Sequence, residues 1–204
     1  LAFTSGSFIL FLCIVIATYV LLPQRTKHVF LLIASLVFYG LYALWAPVFI
    51  ALFALMYFMA AKRLRDAQGA RPTIVWISIL STIALYGLLR YTNLPGTIIA
   101  ALSNPAGISI SIVFPLGFSY YMFKCISYLV DVYNERIKPE PRFDRFLLYV
   151  AYFPEISLGP ITRAADFLPQ VTGEKPFSDE AMRGGFFMIL WGFFKKLIFA
   201  DRLA

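Results

Sequence analysis

The sequence predicts an all-helical integral membrane protein: a polytopic helical bundle of about six or seven membrane segments, with its N-terminus outside. Three observations carry this. Of the 204 residues, 60% are hydrophobic and 14% charged, against roughly a quarter charged in an average soluble domain. Long stretches carry no charge at all. The charges that do occur are segregated: through residue 110 the only acidic group is Asp66, while Arg25, Lys27, Lys62, Arg63, Arg65, Arg71 and Arg90 are basic. Basic residues bunched in short loops between apolar runs follow the positive-inside rule. The formal net charge of +7 therefore calls for no nucleic-acid partner, and the basic groups do not interleave with aromatics in a solvated patch as such a surface requires.

The elements follow in order. Residues 8–22 make a first span ended by Pro23, and the loop after it holds Arg25, Lys27 and His28. Residues 29–61 are again uncharged, and as one helix they would reach about 50 Å across a core of about 30 Å. The run must divide at Trp45-Ala46-Pro47, because Pro47 has no amide hydrogen for the preceding turn and an interfacial Trp suits headgroup depth. A second basic loop, 62–71, precedes a span over 73–89. Asn93, Pro95, Gly96, Asn104, Pro105 and Gly107 then break the pattern, with room for a short interfacial piece at 97–102. A central helix is expected over about 108–130, bent by Pro115. The three basic segments, 23–28, 62–71 and 132–145, alternate with uncharged connections, and placing all three in the cytoplasm leaves the N-terminus outside.

The run between Arg145 and Arg163 contains Pro154, Glu155, Gly159 and Pro160. It reads as a re-entrant segment over 146–160, since irregular backbone at membrane depth must line a cavity or lie buried in protein. Polar residues 161–183 follow, and 184–199 is a further apolar helix carrying Lys195 and Lys196. Cys13 and Cys125 sit in apolar runs as small hydrophobes, with no disulfide or metal spacing. No phosphate loop, zinc motif or Ser/His/Asp arrangement occurs. The chain opens on Leu1 and its last residues continue a helical pattern; it is expected to be the N-terminal part of one membrane-embedded domain, 1–204, incomplete at its C-terminal side.

The stretch 114–170 is where ionisable groups enter apolar context. Helical spacing over 117–131 puts Gly117, Tyr121, Lys124, Tyr128 and Asp131 on one stripe flanked by Tyr120 and Ser127, and Phe118, Met122, Cys125 and Leu129 on a lipid-compatible face. Lys124 and Asp131 lie about two turns apart, too far for a direct pair. Either Asp131 ends a helix at the cytoplasmic boundary while Lys124 snorkels to the same surface, or both line a polar passage into the bilayer. Gly159-Pro160 with Arg163 and Asp166 admits two readings as well: a turn followed by a local salt bridge, or a cavity wall whose Arg163 faces a phosphate of an acyl carrier. Lys195 and Lys196 read as snorkelling residues at a helix end, and His28 as a solvated or headgroup-contacting residue.

The order of motifs has a counterpart. Phe114-Pro115-Leu116-Gly117-Phe118-Ser119-Tyr120-Tyr121, Ser127-Tyr128-Leu129-Val130-Asp131-Val132-Tyr133, Phe153-Pro154, Gly159-Pro160-Ile161-Thr162-Arg163, Phe167-Leu168-Pro169-Gln170 and Gly192-Phe193-Phe194-Lys195-Lys196 together resemble the membrane-bound O-acyltransferase family. The nearest likeness is to its bacterial alginate O-acetyltransferase branch, which is similar to the D-alanyl transferase of teichoic-acid modification. Phe3-Thr4-Ser5 and Leu32-Ile33-Ala34-Ser35-Leu36-Val37-Phe38-Tyr39 resemble that branch too.

The resemblance implies a ring of helices around a thin centre in a bacterial cytoplasmic membrane. A thioester donor, acetyl-CoA or an acyl-carrier protein, would enter from the cytoplasm and a polysaccharide hydroxyl from outside, with no bound cofactor. It also implies an extracytoplasmic acetyltransferase partner. The family's reacting histidine lies in a later helix and His28 does not match its motif, so no catalytic residue is carried over and the chain alone is expected to be inactive. Tyr128, Asp131, Gly159, Pro160, Arg163, Gln170 and Lys196 are carried over as donor-side wall and architecture; Tyr121 and Lys124 join them as substrate-passage candidates. A transporter or flippase-like subunit would use the same broken helices and intramembrane charges for passage without chemistry.

Overall fold

The structure, a computed structural model, describes residues 6–66, 71–91, 115–156, 161–173 and 178–200. Among these every regular element is helical: α1 (Gly6–Leu21), α2 (Gln24–Tyr42), α3 (Ala46–Asp66), α4 (Arg71–Tyr91), α5 (Phe118–Tyr133), α6 (Phe143–Ala151), a 3-10 turn (Phe153–Glu155), α7 (Ala164–Thr172) and α8 (Asp179–Phe194), which continues as a π-helical stretch (Lys195–Ala200). The chain divides into two compact units, Leu1–Gly173 and Glu174–Ala204.

The punctuation works as the residues dictate. Pro23, in extended conformation, caps α2, since a proline tolerates the start of a helix where its missing N–H costs nothing. The uncharged run after it does divide, α2 ending at Tyr42 and α3 starting at Ala46. Among the described residues two helices are long and apolar enough to cross a membrane, Ala46–Arg65 and Arg71–Arg90. On α4, Trp76, Ile77, Leu80, Ile83 and Leu88 are each more than half exposed. An apolar face of that extent suits hydrocarbon and not water. The inner side of α4 carries its polar groups: Thr82 bonds the Tyr57 hydroxyl of α3 at 2.7 Å, and that hydroxyl also donates to the Ser78 carbonyl at 3.3 Å. Tyr57→Phe is expected to loosen the α3–α4 contact by about 0.6–1 kcal/mol, the usual size of an interhelical bond in a bilayer. Unfolding of the purified protein in detergent measures it, and an unchanged midpoint would assign the contact to packing alone.

Within the first unit α5 and α6 lie at the centre. α5 packs on α3 and α4; α6 packs on α2 and α3; α7 closes against both α5 and α6. Nine residues make α6 about 14 Å long, too short to cross, and Phe146, Leu147, Leu148, Tyr149, Val150 and Ala151 are all buried. The helix breaks at Tyr152, ahead of Pro154. The freed amide of Phe153 donates to Ser35 Oγ on α2 at 3.3 Å, and Ser35 in turn bonds the Leu31 carbonyl at 2.8 Å. A buried chain break is tolerable because its orphan donor has a partner. Phe8, Phe11 and Phe38 close around the Phe153 ring at centroid distances of 6.5, 5.3 and 5.7 Å. The broken segment is thus wedged between α1 and α2.

Several expectations need revision. Pro115 does not bend a central helix: residues 115–117 form a turn and α5 begins at Phe118, because Gly117 takes a left-handed φ of 70° that no helix continues through. The residues expected as the earlier part of that helix, and the interfacial piece at 97–102, lie outside the described residues. The face of α5 assigned to lipid is buried: Phe118, Cys125 and Leu129 are inaccessible and Met122 nearly so, while Phe123 is half exposed. Periodicity separates polar from apolar, but a helix with four neighbours buries both. Of the second basic loop, Lys62, Arg63 and Arg65 lie in the end of α3. α7 forms within a stretch read as merely polar.

The second unit is simpler. Asp179 and Glu180 occupy the first turn of α8, where carboxylates oppose the helix dipole favourably. Trp191 and Phe194 stack at 5.2 Å, and Lys195 Nζ lies 5.4 Å from the Trp191 ring centre.

Candidate functional site

The ionisable groups converge where α5 meets the broken segment. Lys124, on α5, is almost wholly buried; its Nζ donates to Glu155 Oε2 at 2.5 Å and to the Tyr149 carbonyl at 3.1 Å. Thr162 Oγ1 donates to the same carboxylate oxygen at 2.7 Å. The Tyr149 hydroxyl donates to the Thr162 carbonyl at 3.1 Å. The ammonium also lies 5.0 Å from the Tyr149 ring centre and 5.7 Å from that of Phe167 on α7, within the range of cation–π attraction. α5, α6, the 3-10 turn and α7 are thereby tied at one point. Lys124 does not snorkel: its charge is neutralised inside the protein by a carboxylate from the turn that follows the helix break.

The local folding that sets this up depends on Gly117. Its carbonyl accepts the amides of Tyr120 and Tyr121 at 2.9 and 3.2 Å and so starts α5. A Cβ there would collide with the carbonyl oxygen of Ile156. Backbone thus meets backbone where α5 begins and the 3-10 turn ends, which brings Lys124 within reach of Glu155.

The remaining candidates are distributed around this knot. Tyr121 is buried among Phe53 and Phe118, at 5.6 and 5.2 Å. The Tyr128 hydroxyl accepts the Glu140 amide at 2.9 Å, and its ring lies 4.6 Å from Phe146. Asp131 is buried near the C-terminal end of α5 with Arg136 Nη1 at 3.4 Å. Arg163 caps α7 through its backbone, its carbonyl accepting the amides of Asp166 and Phe167 at 3.1 and 3.0 Å, while its side chain is exposed. Among the described residues it makes no ion pair with Asp166. Gln170 is exposed and bonds the Asp166 carbonyl of its own helix at 3.0 Å. Gly159 and Pro160 lie outside the described residues, as does the Lys196 side chain. Lys124, Tyr128 and Asp131 therefore share one helix core, whereas Arg163 and Gln170 face outward on α7.

Glu155, Thr162, Tyr149 and Glu140 are contact partners of these candidates that sequence reasoning does not assign to them. A signal existed for the first: a carboxylate in an apolar run needs a buried cation, and Lys124 was the unmatched one nearby. Thr162 and Tyr149 act through a hydroxyl and a carbonyl, which carry no such signal.

The basic segments meet at one end of the first unit. His28 Nε2 lies 3.2 Å from Asp144 Oδ2, which Arg142 holds at 2.7 Å, and Arg71 Nη1 pairs with Glu135 Oε1 at 2.6 Å. The hydrogen bonds from Arg142 hold the Asp144 carboxyl below its ordinary value. The start of α2, the start of α4 and the connection after α5 are thus on the same side. Among the described residues no cluster of His, Cys, Asp or Glu could hold a metal ion.

No protein-family profile matches the chain, and no solved structure does. Sequence relatives do. "Probable alginate O-acetylase AlgI" of Pseudomonas putida is 30% identical over 215 residues, covering 100% of this chain and 44% of the relative. The protein of the same name from Pseudomonas aeruginosa is 29% identical, covering 100% and 41%. "Peptidoglycan O-acetyltransferase" of Helicobacter pylori is 24% identical over 203 residues, covering 85% and 38%. The chain spans less than half the length of these curated relatives. Along its entire length the chain is similar to proteins named as alginate O-acetylases, and over 85% of it to one named as a peptidoglycan O-acetyltransferase.

Proposed function

We propose that the chain forms the N-terminal part of a multi-pass O-acyltransferase of the bacterial cytoplasmic membrane, which moves an acyl group, acetyl in the simplest case, from a cytoplasmic thioester toward the hydroxyl of an exported polysaccharide. The observation that carries this reading is the similarity, over the whole chain, to proteins named as O-acetylases. The geometry supports it. Three basic segments at one end suit a cytoplasmic face under the positive-inside rule. In this reading the N-terminus is outside and 146–160 is a re-entrant segment within a bundle of six or seven membrane segments. A broken helix held at depth by a paired Lys124 and Glu155 supplies a thin, rigid wall in which a thioester and a hydroxyl can meet without either carrier crossing.

In the reaction the acceptor oxygen attacks the thioester carbonyl, a C–O bond forms, the C–S bond breaks, and the hydroxyl proton passes to a base while the thiol leaves. The base is assigned to a histidine outside residues 1–204, since His28 does not match the family's motif and lies among the basic segments with Arg142 and Asp144. Residues of this chain position and shield: the apolar, water-poor surround of α5 and α6 limits hydrolysis of the thioester. The donor is acetyl-CoA or an acyl-carrier protein, and an extracytoplasmic acetyltransferase receives the group.

Labelled-acetyl transfer in membranes carrying the full-length protein tests the reading. Asp131→Ala and Arg163→Ala are each expected to lower transfer about tenfold, a loss of about 1.4 kcal/mol of transition-state stabilisation, with membrane expression unchanged. Wild-type transfer in both variants would remove these residues from the donor path, and no transfer by the intact protein would reject the chemistry.

A further inference from the structure

A second site lies away from the Lys124 knot, in a pocket of about 360 Å³ where the end of α3, the start of α4 and the connection after α5 come together. Arg65, Arg71 and Lys138 line it against an apolar floor that includes Leu64, Val132 and Ile137. Glu135 is the one carboxylate among its walls, so the pocket is cationic overall.

Arg71 is fixed in an unusual way. Nη1 bonds the Glu135 carboxylate at 2.6 Å, Nη2 donates to the Tyr133 carbonyl at 3.1 Å, and the guanidinium lies 5.7 Å from the Tyr133 ring centre. These contacts use its outer nitrogens only. Nε is buried and has no partner among the described residues. Glu135, which pairs with the guanidinium, has the left-handed φ of 59° usual for the residue after a helix end: its amide donates to the Val132 carbonyl at 3.1 Å and that of Arg136 to the Asp131 carbonyl at 2.9 Å, closing α5.

A planar guanidinium held by three contacts, with two further cations at the rim, matches the oxygens of a phosphate. A free phosphate compound needs no apolar floor. The phosphate of a phospholipid does, because its glycerol and first methylenes follow it into the pocket. The site also lies at the ends of α3 and α4, the two helices long and apolar enough to cross a membrane, where headgroups are found. We propose that this pocket binds the headgroup phosphate of an anionic phospholipid, with Arg71 as its central donor and Lys138 and Arg65 as flanking charges.

The test is retention of lipid by the full-length protein reconstituted in vesicles of equal phosphatidylglycerol and phosphatidylethanolamine, then extracted and weighed intact by native mass spectrometry. Wild type is expected to keep phosphatidylglycerol in preference. Arg71→Gln and Lys138→Ala are each expected to reduce the retained anionic lipid about fivefold, the effect of one cation at a membrane surface. Lys62→Ala, a charge outside the pocket on the same helix end, is expected to retain it. Lys138 is exposed on a connection, so its variant keeps the test open if Arg71→Gln does not fold. Equal retention in wild type and the Lys138 variant overturns the proposal, and so does displacement of the lipid by added coenzyme A, which would assign the pocket to a soluble phosphate. Acetyl transfer measured on the same preparations is read separately, so loss of lipid binding and loss of chemistry are distinguishable.

Discussion

Replacing Glu155 by leucine is expected to destabilise the protein by about 3–5 kcal/mol, the usual cost of stranding one member of a buried ion pair. The magnitude follows from which charge is left behind. The Lys124 side chain is 4% exposed and that of Glu155 15%, so removal of the carboxylate abandons the deeper charge. The reciprocal change, Lys124→Met, is expected to cost somewhat less, because Glu155 keeps the Thr162 hydroxyl as a donor and lies nearer the surface. The paired variant Lys124→Met with Glu155→Leu should recover most of the loss, since apolar groups of similar volume often replace a buried pair at little cost. A double-mutant cycle on denaturant unfolding in detergent gives the coupling directly, with about 2 kcal/mol or more expected between the sites. Single changes below about 1 kcal/mol, or a double variant as unstable as the sum, would mean that the pair does not hold α5 to the broken segment. Transfer activity should follow the same order, because the wall it braces is the one proposed to border the reaction.

Gly117→Ala is expected to cost about 3 kcal/mol. Left-handed backbone contributes roughly 1–2 kcal/mol for a residue with a Cβ. The remainder comes from the Ile156 carbonyl, which the new methyl group would meet; both backbones are anchored, so neither can retreat cheaply. Gly87→Ala is the comparison. It sits in α4 with nothing within 4 Å of the place a methyl group would occupy, and alanine there should stabilise by about 0.5–1 kcal/mol through helix propensity. Thermal unfolding of the two variants beside wild type decides: equal midpoints for both would show that the close approach of α5 to the 3-10 turn is not a constraint on the fold.

How far the residues alone reveal this protein differs from one part to another. The division at Trp45-Ala46-Pro47 and the stop at Pro23 are legible because proline acts on its own neighbours, and those breaks fall at 42–46 and 21–24 as helix ends. The polar stripe through Lys124 and Asp131 is legible too, since 3.6-residue spacing is a local property. The lipid face of α5 is not. Burial of Phe118 and Cys125 depends on α3, α4, α6 and α7 all arriving there, and periodicity in one helix cannot count its neighbours. Pro115 misleads for a related reason: a proline signals a bend or a start equally well, and the left-handed Gly117 that settles the matter is a conformation required by Ile156, some forty residues onward.

Composition and motif order thus indicated, before any coordinates, an apolar helical chain with basic segments set between its apolar runs, and its resemblance to O-acetylases. These are sums and spacings along the chain, and they survive whatever the helices do relative to one another. Only the three-dimensional arrangement decided that Lys124 meets Glu155 rather than Asp131 or the headgroups, that Ser35 satisfies the amide freed at the helix break, and that Arg71 pairs with Glu135. Each of those is a pairing between segments far apart in sequence, chosen because a charge or donor excluded from water must find a partner within about 3 Å, and no local pattern states which partner will be there.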